Sequence, residues 1–147
     1  MVAIVQRCSK ASVMIENKII SEIDSGLVVL LGICRGDEKK DVHYIVKKIT
    51  ALRIFSDLNH KMNLSIKDIK GSILVVSQFT LCASTRKGNR PSFLNAAPPL
   101  IGQRFYDYFV TYLKSFNVKV STGEFGATMD VNLINQGPAT FIIDSSV

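Results

Sequence analysis

Apolar and polar positions along the chain alternate between two periods. Val2, Ile4 and Val5 open it in a strand-like pattern over residues 2–8. Residues 12–16 and 18–23 flank Asn17 and predict a hairpin. The unbroken apolar run at 26–33 predicts a buried central strand. The period then lengthens. Val42, Ile45, Val46, Ile49 and Leu52 recur at helical spacing, predicting an amphipathic helix over 38–52. Gly36-Asp37 supplies its start, with Asp37 and Glu38 at the positive end of the dipole. His43 lies one position off the stripe, which suits an edge position better than a catalytic one.

Beyond the helix, 53–55 and 62–64 pair as short strands across the turn chemistry of 56–60. Ile73 to Val76 form a second buried strand. Pro98-Pro99 open a second helix, because proline suits the first turn. Leu100, Ile101, Phe105, Tyr108, Phe109, Tyr112, Leu113 and Phe116 share one broad face of it, read as core. Residues 117–121 read as a strand, Gly123 and Gly126 bracket a turn, and Met129, Val131 and Leu133 alternate as another strand. Asn135-Gln136-Gly137-Pro138 breaks that strand, and 140–143 form a last one. The sum is one compact α/β domain over residues 1–147: two packed, mostly antiparallel or mixed β-sheets, with two long helices as a layer on one side.

Composition narrows the class. With 147 residues, 47% hydrophobic and 20% charged, the chain suits a single globular domain that needs no staples. No apolar run approaches a membrane span, and no signal peptide is visible, so a membrane partner is not expected. Three widely spaced cysteines form neither a disulfide framework nor a zinc pattern, and the two histidines have no ligand cluster. No metal and no cofactor are expected, and a cytoplasmic location fits best.

Charge placement says more than the net +6. Between Asp68 and Asp107 there is no acidic residue, while Lys70, Arg86, Lys87, Arg90 and Arg104 fall in that window. A field of that sign favours a polyanion, nucleic acid first. Inside the window the buried strand gives way to Ser77, Gln78, Thr80, Ser84 and Thr85, then to the cationic loop Arg86-Lys87-Gly88-Asn89-Arg90. A scaffold strand that delivers polar groups to a ligand-facing loop is a common way to build a site. An ordinary core strand followed by a solvated loop fits the pattern equally well.

The usual side chains for hard chemistry are missing. No Ser-His-Asp set is visible, the carboxylates are scattered, and neither Thr80 nor Cys82 has a base beside it. Such a chain either binds only, or acts on a reactive substrate that needs orientation and an oxyanion site more than a strong base.

Several segments carry a family resemblance: Ser77-Gln78-Phe79-Thr80-Leu81, Arg86-Lys87-Gly88-Asn89-Arg90-Pro91-Ser92-Phe93 and Asn135-Gln136-Gly137-Pro138-Ala139-Thr140. Gln6-Arg7, Lys61-Met62-Asn63-Leu64 and Gly123-Glu124-Phe125-Gly126 join them. In order and over essentially the whole chain, they resemble the D-aminoacyl-tRNA deacylase family. The resemblance implies a homodimeric hydrolase that cleaves the ester between a D-amino acid, or glycine, and the terminal adenosine of tRNA. It implies Ser77, Gln78, Phe79 and Thr80 as the catalytic stretch, with backbone N–H groups near Phe79 and Thr80 holding the oxyanion and the substrate's 2′-hydroxyl orienting or activating the water. It further implies that Gly137-Pro138, with a cis bond, enters the partner subunit's pocket, held by Arg7, and that Gly137, Pro138, Arg7 and Met129 read chirality. Arg86, Lys87 and Arg90 would meet tRNA phosphates. Departures from the family pattern fall at Cys82, Thr128, Gln136 and Ala139. Rival readings are a non-catalytic tRNA- or RNA-binding module, an esterase using Thr80 or Cys82 on free small esters, and a deacylase tolerant of some L-aminoacyl-tRNA.

Overall fold

The structure is a computed structural model that describes residues 1–146. Eight strands and two helices follow one another as β1 (Val2–Ile15), β2 (Lys18–Ile23), β3 (Gly26–Gly32), α1 (Lys39–Ala51), β4 (Phe55–Ser56), β5 (Met62–Leu64), β6 (Ser72–Ser77), α2 (Pro99–Lys114), β7 (Lys119–Thr122) and β8 (Asp130–Asp144). A 3-10 turn, Phe79–Cys82, follows β6.

β1 is the axis of a six-stranded mixed sheet. It is one strand of 14 residues, where the sequence pattern predicts two. Along one edge it pairs antiparallel with β2 and then β3, and Ala11↔Ile23 and Cys8↔Gly26 hold the same register, so β2 and β3 act as one interrupted strand. β8 runs antiparallel along the other edge. β3, β6 and β7 continue the sheet in parallel. Strands β4 and β5 make a separate two-stranded sheet.

Two cores explain the unbroken apolar runs. On one face Leu27, Val29, Leu31, Ile73 and Val75 pack under Val42, Ile45, Val46 and Ile49 of α1 and Phe109 and Leu113 of α2. On the other, Val28, Leu74 and Val76 meet Cys8, Ala11, Val13 and Ile23. The second half of β1, with β2 and β8, thus curls over the far face of β3 and β6, and Ser21 Oγ donates to the Thr122 carbonyl at 2.8 Å where the curl closes. A strand buried on both faces has no polar side to show. Each large side chain so buried contributes about 1.5–3 kcal/mol.

Three local expectations are corrected. Asp37 does not open α1. Its carboxylate accepts from the Cys34 N–H at 2.7 Å and from the Met1 ammonium at 2.6 Å, while Glu38 and Asp41 form the capping box. Leu100 and Ile101 are exposed, by 84% and 49%, and Tyr106 and Val110 take their place in the core. Asn117 lies in a turn with φ of 59°, so β7 starts at Lys119. His43 does sit at an edge, 2.8 Å from the Tyr108 hydroxyl. No helix among the described residues is long and apolar enough to cross a membrane.

Candidate active site

β6 ends at Ser77, and its ladder with β3 reaches one residue further, where the Gln78 N–H donates to the Leu31 carbonyl at 2.8 Å. The chain then tightens into the 3-10 turn, with Leu81 N–H on Gln78 O and Ala83 N–H on Thr80 O, each at 3.1 Å. Gly32, at the end of β3, permits this close docking, since a Cβ there would lie 2.9 Å from Leu81 Cβ and 3.1 Å from Gln78 O. Behind the strand, the buried Tyr106 hydroxyl donates to Val75 O at 2.8 Å and ties α2 to β6. Burial pushes that hydroxyl's pKa up, so the bond keeps its proton.

A cleft of about 400 Å³ opens here, lined by Val76, Ser77, Gln78, Phe79, Pro99, Phe125, Gly126, Ala127, Met129 and Val131. No lining side chain is ionisable. Thr80 lies just outside, its hydroxyl accepting from Gln78 Nε2 at 2.5 Å. The first N–H groups of the turn, on Phe79 and Thr80, have no acceptor among the described residues, as expected at the start of a helical turn. The arrangement offers donors and hydroxyls beside an apolar wall, with no acid or base.

The cationic loop is fixed to this site. Ser84 and Ser92 exchange two backbone hydrogen bonds of 2.9 Å and clamp the loop's base. The Phe93 ring packs on Phe79 at 5.1 Å, both rings partly in solvent. Arg86, Lys87 and Arg90 are exposed, and none pairs with a carboxylate among the described residues.

Gly137 and Pro138 lie elsewhere. β1 and β8 pair Gln6 with Thr140 and Cys8 with Asn135, so residues 136–139 bulge out opposite Arg7 alone. The strand is therefore interrupted and resumes in the same ladder, where the sequence predicts a break. The Gly137–Pro138 bond is cis, and Gly137 has φ of +117°. Arg7 is 8% exposed and has no carboxylate partner among the described residues. Its Nε donates to Gln136 O at 3.1 Å and its Nη1 to Ile54 O at 2.6 Å. With its nitrogen turned toward the bulge, the Asn135 amide donates to the carbonyls of Arg7 at 3.1 Å and Ala139 at 3.2 Å.

The structure thus brings Ser77, Gln78, Phe79, Thr80 and Met129 together and leaves Arg7, Gly137 and Pro138 apart from the same chain's cleft. Sequence reasoning does not single out Pro99, Phe125, Gly126, Ala127 or Val131 as lining. The glycine pair Gly123 and Gly126 was the available signal, since Gly126 turns the wall with φ of +77°. No group of three or more His, Cys, Asp or Glu among the described residues is placed to hold a metal ion.

A family profile described as D-Tyr-tRNA(Tyr) deacylase matches residues 4–144. The chain belongs to that family. It is 51% identical over 143 residues to a D-aminoacyl-tRNA deacylase of Thermosipho africanus, covering 97% of this chain and 96% of that one. It is 52% identical over 146 residues to one of Flavobacterium psychrophilum, covering 99% and 97%. A solved structure described as c-Myc DNA unwinding element binding protein superposes with a TM-score of 0.93 at 39% identity, covering 98% of each chain.

Proposed function

We propose that the cleft at the end of β6 is where this chain carries out the ester hydrolysis of D-aminoacyl-tRNA that belongs to its family. One observation carries the assignment: Ser77, Gln78 and Phe79 converge with Met129 on a cleft without ionisable groups, beside the exposed cationic loop. An aminoacyl ester next to a ribose hydroxyl is already activated, so the site has to orient it and stabilise the oxyanion. The N–H groups of Phe79 and Thr80 supply that stabilisation. Gln78 and Thr80 hold the adenosine and the ester, with Ser77 in support, and the substrate's 2′-hydroxyl directs the water. Arg86, Lys87 and Arg90 bind phosphates.

In the working enzyme the Gly137-Pro138 bulge of a second copy completes the cleft and reads the α-carbon of the substrate. Supporting this, residues 136–138 of the bulge are exposed, β8 pairs along one edge only among the described residues, and Ile134 and Ile142 on it are 62% and 74% exposed. Three free thiols in a chain acting on aminoacyl-tRNA fit the reducing cytoplasm. Incubation with D-tyrosyl-tRNA and L-tyrosyl-tRNA tests the reading: the D-ester is lost and the L-ester persists. Survival of both would leave a binding module, and loss of both at similar rates would leave a loose esterase.

A further inference from the structure

The three cysteines have different surroundings. Cys8 is fully buried in the second core, and burial pushes its thiol up to about 11, so it stays protonated. Cys34 and Cys82, 48 residues apart in sequence, are in direct contact, Sγ to Sγ 2.6 Å. Cys34 is half-exposed, just past the end of β3, and Cys82 is 6% exposed and closes the 3-10 turn. Backbone fixes both sides of the contact. Cys34 forms a bridge with Ala96 and donates its N–H to Asp37, while Gly32 lets the turn lie against the strand.

We propose that Cys34 and Cys82 are a peroxide-reactive dithiol whose disulfide pins the turn that carries Thr80. The Cys34 thiolate attacks one oxygen of hydrogen peroxide. A sulfur–oxygen bond forms, the O–O bond breaks, and the departing hydroxide takes up a proton equivalent to the one Cys34 released. Cys82 sulfur then attacks the Cys34 sulfenic acid, a sulfur–sulfur bond replaces the sulfur–oxygen bond, and the oxygen leaves as water with the Cys82 proton. Two thiols supply the two electrons that reduce the peroxide to two waters. Cys34 suits the first step because it is the accessible one. The sulfur–sulfur contact with Cys82, helped by the Met1 ammonium, outweighs burial and the carboxylates of Asp37 and Asp144 and holds the Cys34 thiol below its ordinary range. Cys82 suits the second step because it already touches its target.

Treating the intact protein with hydrogen peroxide tests this by mass spectrometry and thermal melting, both independent of deacylation. The expected product is a monomer-internal disulfide joining the Cys34 and Cys82 peptides, with Cys8 still titrating as a free thiol and dithiothreitol restoring the rest. Its thermal midpoint rises by roughly 5–15 °C, as closure of a loop this long predicts. Cys34→Ser and Cys82→Ser each abolish both changes. Stepwise oxidation of Cys34 to sulfinate without the cross-link, or a cross-link to Cys8 or between chains, would overturn the assignment. A formed disulfide that leaves the midpoint unmoved would overturn the pinning.

Discussion

Gly137→Ala is the sharpest test of how the 136–139 bulge is held. At φ of +117° an L-residue is disfavoured by about 1–3 kcal/mol. The added methyl group would also collide with Arg7 Nη2 and lie 3.4 Å from Arg7 Cζ. A long side chain would ordinarily swing away at little cost, but Arg7 is buried and fixed at both ends of its guanidinium by Gln136 O and Ile54 O. Moving it breaks the longer of these charged hydrogen bonds, to Gln136, worth about 1.5–3 kcal/mol. The expected loss is therefore about 2.5–6 kcal/mol, against a total stability of roughly 5–15 kcal/mol.

A double-mutant cycle by urea denaturation separates the two parts. In an Arg7→Met background the guanidinium is gone, and Gly137→Ala should cost only its backbone part. The double variant is then more stable than the sum of the singles by about 1.5–3 kcal/mol. Additivity of the two substitutions would mean that Arg7 does not brace the bulge.

Three further outcomes follow from the site and its surroundings. Cys82→Ala keeps most of the deacylation rate and Thr80→Ala loses part of it by misplacing the ester, and quench-flow with labelled substrate finds no acyl group on either side chain. The logarithm of tRNA affinity falls with log salt by about 0.7 per phosphate contacted, and Arg90→Ala removes roughly one contact from that slope; an unchanged slope would assign Arg90 to loop structure. The Ser65 N–H and Oγ hold the Asp68 carboxyl below its usual range, so its stabilisation is complete above the ordinary carboxylate pKa near 4 and is lost as pH falls through the lower folded value. The stability gap between wild type and Asp68→Asn, followed by urea midpoints, should accordingly narrow on acidification.

Elements buried on both faces were the most legible in the sequence. β3 and β6 announce themselves because neither face meets water, and α1 because Val42, Ile45, Val46 and Ile49 all face one core. β1 reads as two pieces because it changes cores midway: Ala3 and Val5 face the helices, whereas Cys8, Ala11 and Val13 face the second core, with Ser9 and Lys10 exposed between them. An alternation that switches phase looks like a chain break. Leu100 and Ile101 mislead for a different reason. Helical periodicity marks a face but not how far the core extends beneath it, and the first turn of α2 overhangs it beside Pro99 at the cleft. Of the site, Gln78, Thr80 and the basic loop were legible as a local run of chemistry. Phe125, Ala127 and Val131 were not, because they reach the cleft only through the curl of the sheet, which no local pattern encodes.

The electrostatics of that cleft limit how selection can work. An aminoacyl ester carries an ammonium on its α-carbon, and a site that recognised it directly would place a carboxylate there. Here the residues that line the cleft are uncharged throughout, and Glu124 and Asp130 only neighbour them in sequence. On the proposed assignment, binding energy would come from the nucleotide end, where the loop would meet phosphates and Gln78 the adenosine. The amino acid would then be judged by the space around its α-carbon alone. A pocket shaped to one side chain would discard most others, whereas a rigid obstacle at the α-carbon rejects one configuration of them all. Backbone suits that task better than a side chain that can swing away. In the proposed assembly Gly137 would permit close approach and Pro138 would fix direction, with Arg7 held against the bulge through Gln136 O. By the same reasoning a glycyl ester, with nothing to strike the obstacle, would pass the filter.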